Sequence, residues 1–257
     1  MSKSKQVLSS SLGKKLIMSL TGLFLCSFLV VHLIGNLQLF YNDQGKAFND
    51  YAYFMTHFTP IKIISYLLYT SIVVHAIYAL VVTINNRKAR PVGYAVYRGS
   101  ENSAWSSRNM GILGTVLLVF IVTHMSNFWW KYHNDGVPYV EYRTDLKTNQ
   151  TTVTELVAGE FTEYVSYVDN EVEVIKAKDL YKQVAFAFKE WYLVAFYVLG
   201  MAALSFHLIH GFKSAFQTLG FDNRKYIPII RFLGIWIFGV VIPIAFAAMP
   251  LYFYFLK

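Results

Sequence analysis

The sequence predicts an all-α integral membrane protein, a bundle of five transmembrane helices with one small polar external insertion. Three observations predict it. Of 257 residues, 55% are hydrophobic, 18% aromatic and only 15% charged, where an ordinary soluble domain carries about 25% charge. Mean hydropathy is +0.39. Five stretches free of Asp, Glu, Lys and Arg reach the roughly 20 residues a helix needs to cross a bilayer core; they cover 16–40, 63–84, 110–130, 191–212 and 232–256. The one cysteine, Cys26, excludes an intramolecular disulfide, a Cys-ligated zinc or iron–sulfur site and covalent haem attachment through C-x-x-C-H.

Residues 1–257 read as a single transmembrane domain. The first stretch is too long for a signal-peptide core and lacks a small-residue cleavage site, so it is a span. Pro60 precedes the second, where a helix-starting proline is tolerated. Trp129, Trp130 and Tyr132 close the third span with an aromatic girdle, and Trp191 and Tyr192 open the fourth. Pro243 and Pro250 lie inside the fifth, which is therefore expected to be kinked or locally irregular. Between the third and fourth spans, residues 131–190 are polar and acidic. There Tyr164–Val168 and Glu171–Ile175 alternate around Asp169 and Asn170, the pattern of a small exposed β-hairpin cap. No phosphate-cradling glycine loop occurs.

Lysine and arginine set the orientation. The N-terminal side holds 13 bases: Lys3, Lys5, Lys14, Lys15, Arg87, Lys88, Arg90, Arg98, Arg108, Lys213, Arg224, Lys225 and Arg231. Only two acids, Glu101 and Asp222, accompany them. That side is expected to be cytoplasmic, with the C-terminus external after five crossings. The net charge of +8 is thus mostly a topology signal rather than a nucleic-acid one, and it leaves a basic face for an acidic partner.

Five of the seven histidines fall inside the spans: His32, His75, His124, His207 and His210. Ionisable residues inside a bilayer are costly and mark functional sites. A single one is commonly a satisfied core histidine; here four consecutive spans each carry at least one. His32 and His124 lie in the outer halves of the first and third spans, His75 and His207 in the inner halves of the second and fourth. Each pair joins two helices, as two bis-imidazole sites stacked on the order of 15 Å apart along the membrane normal. His210 competes with His207, but it is only two residues from the end of its span, and His207 matches the depth of His75 more closely. Zinc wants four tetrahedral ligands, and no Asp, Glu or Cys lies at matching depth. Haem iron needs only two axial imidazoles, which leave no open position for oxygen. The expectation is a helical bundle enclosing two stacked haems b that transfers electrons. A proton relay built on membrane histidines is the other reading of the same residues.

The chain then resembles a known family. His32-Leu33-Ile34-Gly35-Asn36, His75, Thr123-His124 and the run FHLIHGFKSAFQTLG at 206–220 are similar to the cytochrome b membrane-anchor subunit of succinate dehydrogenase and fumarate reductase, of the five-helix di-haem type. The resemblance spans nearly the whole chain. It implies His32 and His124 as ligands of the distal haem, and His75 and His207 as ligands of the proximal one. It implies a flavoprotein subunit carrying FAD and an iron–sulfur subunit as partners, membrane quinone (menaquinone) as substrate, and a place in the bacterial inner membrane. It also places a quinone site near the distal haem and an acid near the start of the second span, where Asp50 and His57 stand. The inner-side alternative is Lys213, Ser214 and Gln217. Some relatives carry a glutamate in the fourth span, and residues 204–206 here have none.

Two rival readings differ in class. One is the anchor of another quinone-linked dehydrogenase, or a quinol cytochrome, whose paired histidines about fourteen apart on each of two helices are absent here. The other is a transporter, which would show inverted repeats. The sequence instead repeats Phe28-x-x-x-His32 as Phe120-x-x-x-His124 in two spans running the same way.

Overall fold

A computed structural model describes residues 10–89, 91–92, 98–157, 159–161 and 163–257. Lys3, Lys5 and Arg90, three of the bases that set the orientation, lie outside the described residues. The chain is mostly helical. Among the described residues five helices are long and apolar enough to cross a membrane: Ser11–Phe40, Thr59–Lys88, Met110–His133, Trp191–Thr218 and Ile227–Leu256. Each extends past its charge-free run, taking in Lys14 and Lys15, Arg87 and Lys88, Lys131, Lys213, or Arg231. Long cationic side chains can lie along a helix and carry their charge to the interface.

These helices turn large apolar side chains outward. Ile63, Ile112 and Ile244 are each more than 60% exposed, an arrangement that requires lipid rather than water around them. The fifth span is irregular, as its prolines predict. It runs as α-helix over Ile227–Phe232, widens to a π-helix over Leu233–Val241 and resumes as α-helix over Ile242–Leu256. The wide stretch ends just before Pro243. Pro243 has no N–H to give the carbonyl four residues back, and that carbonyl, on Gly239, accepts the hydroxyl of Ser205 from the fourth span.

Two compact units emerge, and each is described by itself. One comprises the residues up to Val31, Tyr66–Phe120 and Tyr197–Ala247. Its core joins three spans through Cys26, Leu208, Phe212 and Ile230, with Leu113, Leu117 and Ala203 as a second cluster. The backbone of the fourth span comes close to the third at Gly200. A Cβ there would stand 2.6 Å from the Phe120 ring, which packs edge-on against Tyr197 at 5.0 Å.

The other unit comprises His32–Ser65, Ile121–Phe196 and Ala248–Lys257. It contains a four-stranded antiparallel sheet in the order β2-β1-β4-β3, with β1 Tyr139–Asp145, β2 Thr151–Leu156, β3 Val165–Asp169 and β4 Val172–Lys178. The expected hairpin is the β3–β4 pair, closed by Asn170 and Glu171 at φ 47° and 66°. Two positive φ values are the signature of a type I′ turn, whose twist matches the flanking strands. The cap is larger than one hairpin. β1 and β2 escape a pattern reading because Glu141, Arg143 and four threonines dilute the alternation, although β1 buries Val140 and Tyr142 against Ile175 and Ala177.

A buried amide ties this sheet to the connecting helix Lys46–His57. Asn49, 1% exposed, donates to Tyr142 Oη and to Asp179 Oδ1, both at 2.9 Å, and accepts from the Tyr181 N–H at 3.0 Å. Asp179 also caps the helix Leu180–Ala187 by accepting from the Lys182 N–H at 2.9 Å. One side chain thereby satisfies groups from a helix, a strand and a helix cap, as buried polar atoms require.

Candidate functional site

The histidines meet in twos. In the first unit the rings of His75 and His207 lie 6.3 Å apart, centroid to centroid, with their planes at 60°. In the second, His32 and His124 lie 5.8 Å apart at 90°. Two imidazole nitrogens on opposite sides of one metal, each at about 2 Å, put ring centroids about 6 Å apart. Among the described residues no group of three or more His, Cys, Asp or Glu side chains could hold a bare ion.

His75 is oriented by Thr21 of the first span. The Thr21 hydroxyl donates its proton to the Ile17 carbonyl at 2.7 Å. Toward His75 Nδ1, 3.0 Å away, it can then only accept. In that arrangement the proton of His75 is on Nδ1 and the lone pair on Nε2. A hydroxyl that accepts from the Nδ1–H in this way leaves Nε2 to face a metal. The neighbouring residue leaves room for the ring: a Cβ on Gly22 would stand 3.3 Å from His75 Cε1. Opposite, His207 Nδ1 is buried with no hydrogen-bond partner.

The other pair is held differently. Asn36 Nδ2 donates to the His32 carbonyl at 2.7 Å and lies 3.3 Å from His32 Nδ1. That amide offers Nδ1 a proton, so holding a metal through His32 Nε2 requires the Asn36 contact to give way. His124 is followed by a π-helical stretch, Met125–Trp130, and its ring meets Phe128 at 5.3 Å. Three residues beyond His124, Asn127 Nδ2 is buried without a partner, while the Asn127 carbonyl accepts from Gln183 Nε2 at 3.2 Å. The two unpartnered buried side-chain atoms among the described residues thus fall one in each unit, on or beside a paired histidine. Buried polar groups left unpaired call for an unseen partner.

Asp50 and His57 sit on the connecting helix and do not touch. Asp50 pairs with Lys46 at 3.2 Å and accepts the Tyr164 hydroxyl at 3.2 Å; Lys46 also reaches Glu173 at 3.5 Å. His57 Nδ1 lies 2.9 Å from the Tyr53 carbonyl, and its ring stacks on Tyr53 at 4.1 Å. Tyr53 stacks in turn on Tyr164 at 3.7 Å. Burial, then the Asp50 charge beside it, push the Tyr164 hydroxyl up from its ordinary value. The polar insertion therefore contributes a ring that bonds Asp50 and stacks on Tyr53, whose other neighbour is His57. Sequence offered no signal for this, nor for Thr21, which is 54 residues from His75. Among the described residues His210 belongs to neither histidine ring pair. Lys213 and Gln217 line a cavity at the end of the fourth span.

No family model matches the chain, and no curated protein or solved structure matches it either.

Proposed function

We propose that the chain is a di-haem cytochrome b: the membrane anchor of a succinate:quinone oxidoreductase, joining an iron–sulfur subunit and its flavoprotein partner to membrane quinone. The observation that carries the reading is the pairing of intramembrane imidazoles at 6.3 Å and 5.8 Å, a spacing at which each pair would hold one haem iron. The motif resemblance in the first and fourth spans supports the choice of family.

His75 and His207 would hold one haem, and His32 and His124 the other. Bound in this way, haem supplies reversible one-electron transfer. What the chain itself does is narrower. Thr21 fixes the proton of His75 on Nδ1 and keeps Nε2 free. Leu113, Leu117, Leu208 and Phe212 keep water from the first unit's interior. Quinone chemistry needs protons as well as electrons. Asp50, hydrogen-bonded to Tyr164 and paired with Lys46, can exchange them at one end of the connecting helix, and His57 at the other. The excess of bases over acids on the N-terminal side supports a cytoplasmic location for that side, with the partner subunits docked there and the C-terminus external, and the family resemblance supports a bacterial inner membrane.

Pyridine haemochrome analysis of the purified chain should return two haems b per polypeptide. His75→Ala and His207→Ala should remove one spectral component, and His32→Ala and His124→Ala the other. One haem or none overturns the four-ligand assignment. Loss of the inner component in His210→Ala, with His207→Ala normal, would move that ligand by one turn. A tagged chain should bring down a flavoprotein and an iron–sulfur protein, and succinate oxidation with an artificial acceptor should follow them.

A further inference from the structure

At the junction of the fourth and fifth spans the first unit forms a half-open cavity of about 200 Å³. Its wall has two cations, Lys213 and Arg231, one acid, Asp222, and a floor of Phe216, Ile227 and Ile230. We propose that this cavity binds the phosphodiester headgroup of an anionic phospholipid, the phosphate between Lys213 and Arg231 and the start of an acyl chain against the apolar floor. The inference is independent of the function proposed above.

Four observations carry it. First, neither Lys213 nor Arg231 is ion-paired among the described residues, so the charge of both is available to an outside anion. Second, their depth matches. The fourth span ends at Thr218 and the fifth begins at Ile227. Lys213 and Arg231 therefore lie five and four residues inside, roughly 6–7.5 Å at about 1.5 Å per residue. That is the zone where snorkelling cations reach the phosphate layer. Third, the floor is fixed rather than soft. Ile230 belongs to the buried cluster with Cys26, Leu208 and Phe212, and Phe216 packs on that cluster. Fourth, the volume is several times the ~30 Å³ that a water occupies, enough for a phosphate and its ester oxygens. A free phosphate would gain nothing from three apolar walls, whereas an amphiphile uses both halves of the lining. Asp222 opposes the anion and leaves the wall with a net single positive charge.

The full-length chain is reconstituted in nanodiscs of phosphatidylcholine with a minor fraction of phosphatidylglycerol, and lipid retained per chain is read by native mass spectrometry. The wild type should keep one phosphatidylglycerol in preference to phosphatidylcholine. Lys213→Gln and Arg231→Gln should each cut retention roughly fivefold, the worth of one interfacial cation, and the double variant more. Asp222→Asn should raise it. Lys225→Gln removes an equal charge at the same end of these helices without touching the cavity, and should leave retention unchanged. It also controls for folding. Equal loss in Lys225→Gln would mean general surface attraction and overturn the site, as would unchanged retention in the double variant. Displacement of the lipid by millimolar inorganic phosphate would assign the cavity to a free anion. Displacement by a menaquinone analogue would assign it to quinone and also revive the inner-side reading of Lys213 and Gln217. Either result overturns the lipid assignment.

Discussion

At the scale of single residues the decisive feature is a hydrogen-bond direction. Thr21 has one proton and spends it on Ile17, so His75 must donate to it. Thr21→Val removes the acceptor and keeps the shape. If His75 holds a cofactor iron, Thr21→Val should weaken its retention about 10–100-fold, as loss of an outer-shell partner does, and Thr21→Ser should restore it. The measurement is the off-rate of the inner spectral component. Asp179 gives a second residue-scale prediction. Burial lifts its carboxyl above the ordinary 3.8, against the pull of Asn49 and the Lys182 N–H. The folded form then holds its proton to higher pH than the unfolded chain. The stability this contributes is fully present below pH 3.8 and is lost as pH rises through the raised value. Asp179→Asn keeps the oxygen that Asn49 and Lys182 use and cannot ionise. Thermal unfolding scanned from pH 4 upward should decline in the wild type and be flatter in the variant.

At the scale of elements, close approach matters more than propensity. Gly200 lets the Phe120 ring of the third span sit against the fourth. Gly200→Ala should cost about 1–3 kcal/mol, the usual price of overpacking. A cycle with Phe120→Ala should recover much of it, because the two changes share one contact. Melting in detergent with all four proteins gives the coupling. In the sheet, Glu171 occupies a left-handed conformation at φ 66°, which costs a non-glycine residue roughly 1–2 kcal/mol. Glu171→Gly should stabilise the β3–β4 hairpin by about 1 kcal/mol, since the exposed contact it loses with Lys147 is worth little. Amide exchange across Val165–Asp169 is the readout. The hairpin was legible because its alternation and turn are local. β1 and β2 were not, because their core is made by Val140 and Tyr142 meeting Ile175 and Ala177 across more than thirty residues.

At the scale of the whole molecule, charge placement predicts an experiment on intact vesicles. Protease added from outside to right-side-out vesicles should cut within residues 146–160 and spare residues 87–98; cleavage at 87–98 would reverse the orientation. By itself the sequence determined that the protein is helical and spans a membrane five times. Both properties follow from summed transfer free energies along the chain, and a run of about twenty apolar residues states them without reference to any neighbour. It also determined that the fifth span must be irregular, because Pro243 lacks a donor wherever it is placed. Only the tertiary structure decided which atoms face which. It put Thr21 against His75 and Asn36 against His32, left His207 Nδ1 and Asn127 Nδ2 without partners among the described residues, and set Tyr164 of the polar insertion against Asp50 and Tyr53. Those contacts depend on the rotation of each helix about its own axis and on the register of a sheet. Both are fixed by packing between segments distant in sequence, and no local pattern encodes them.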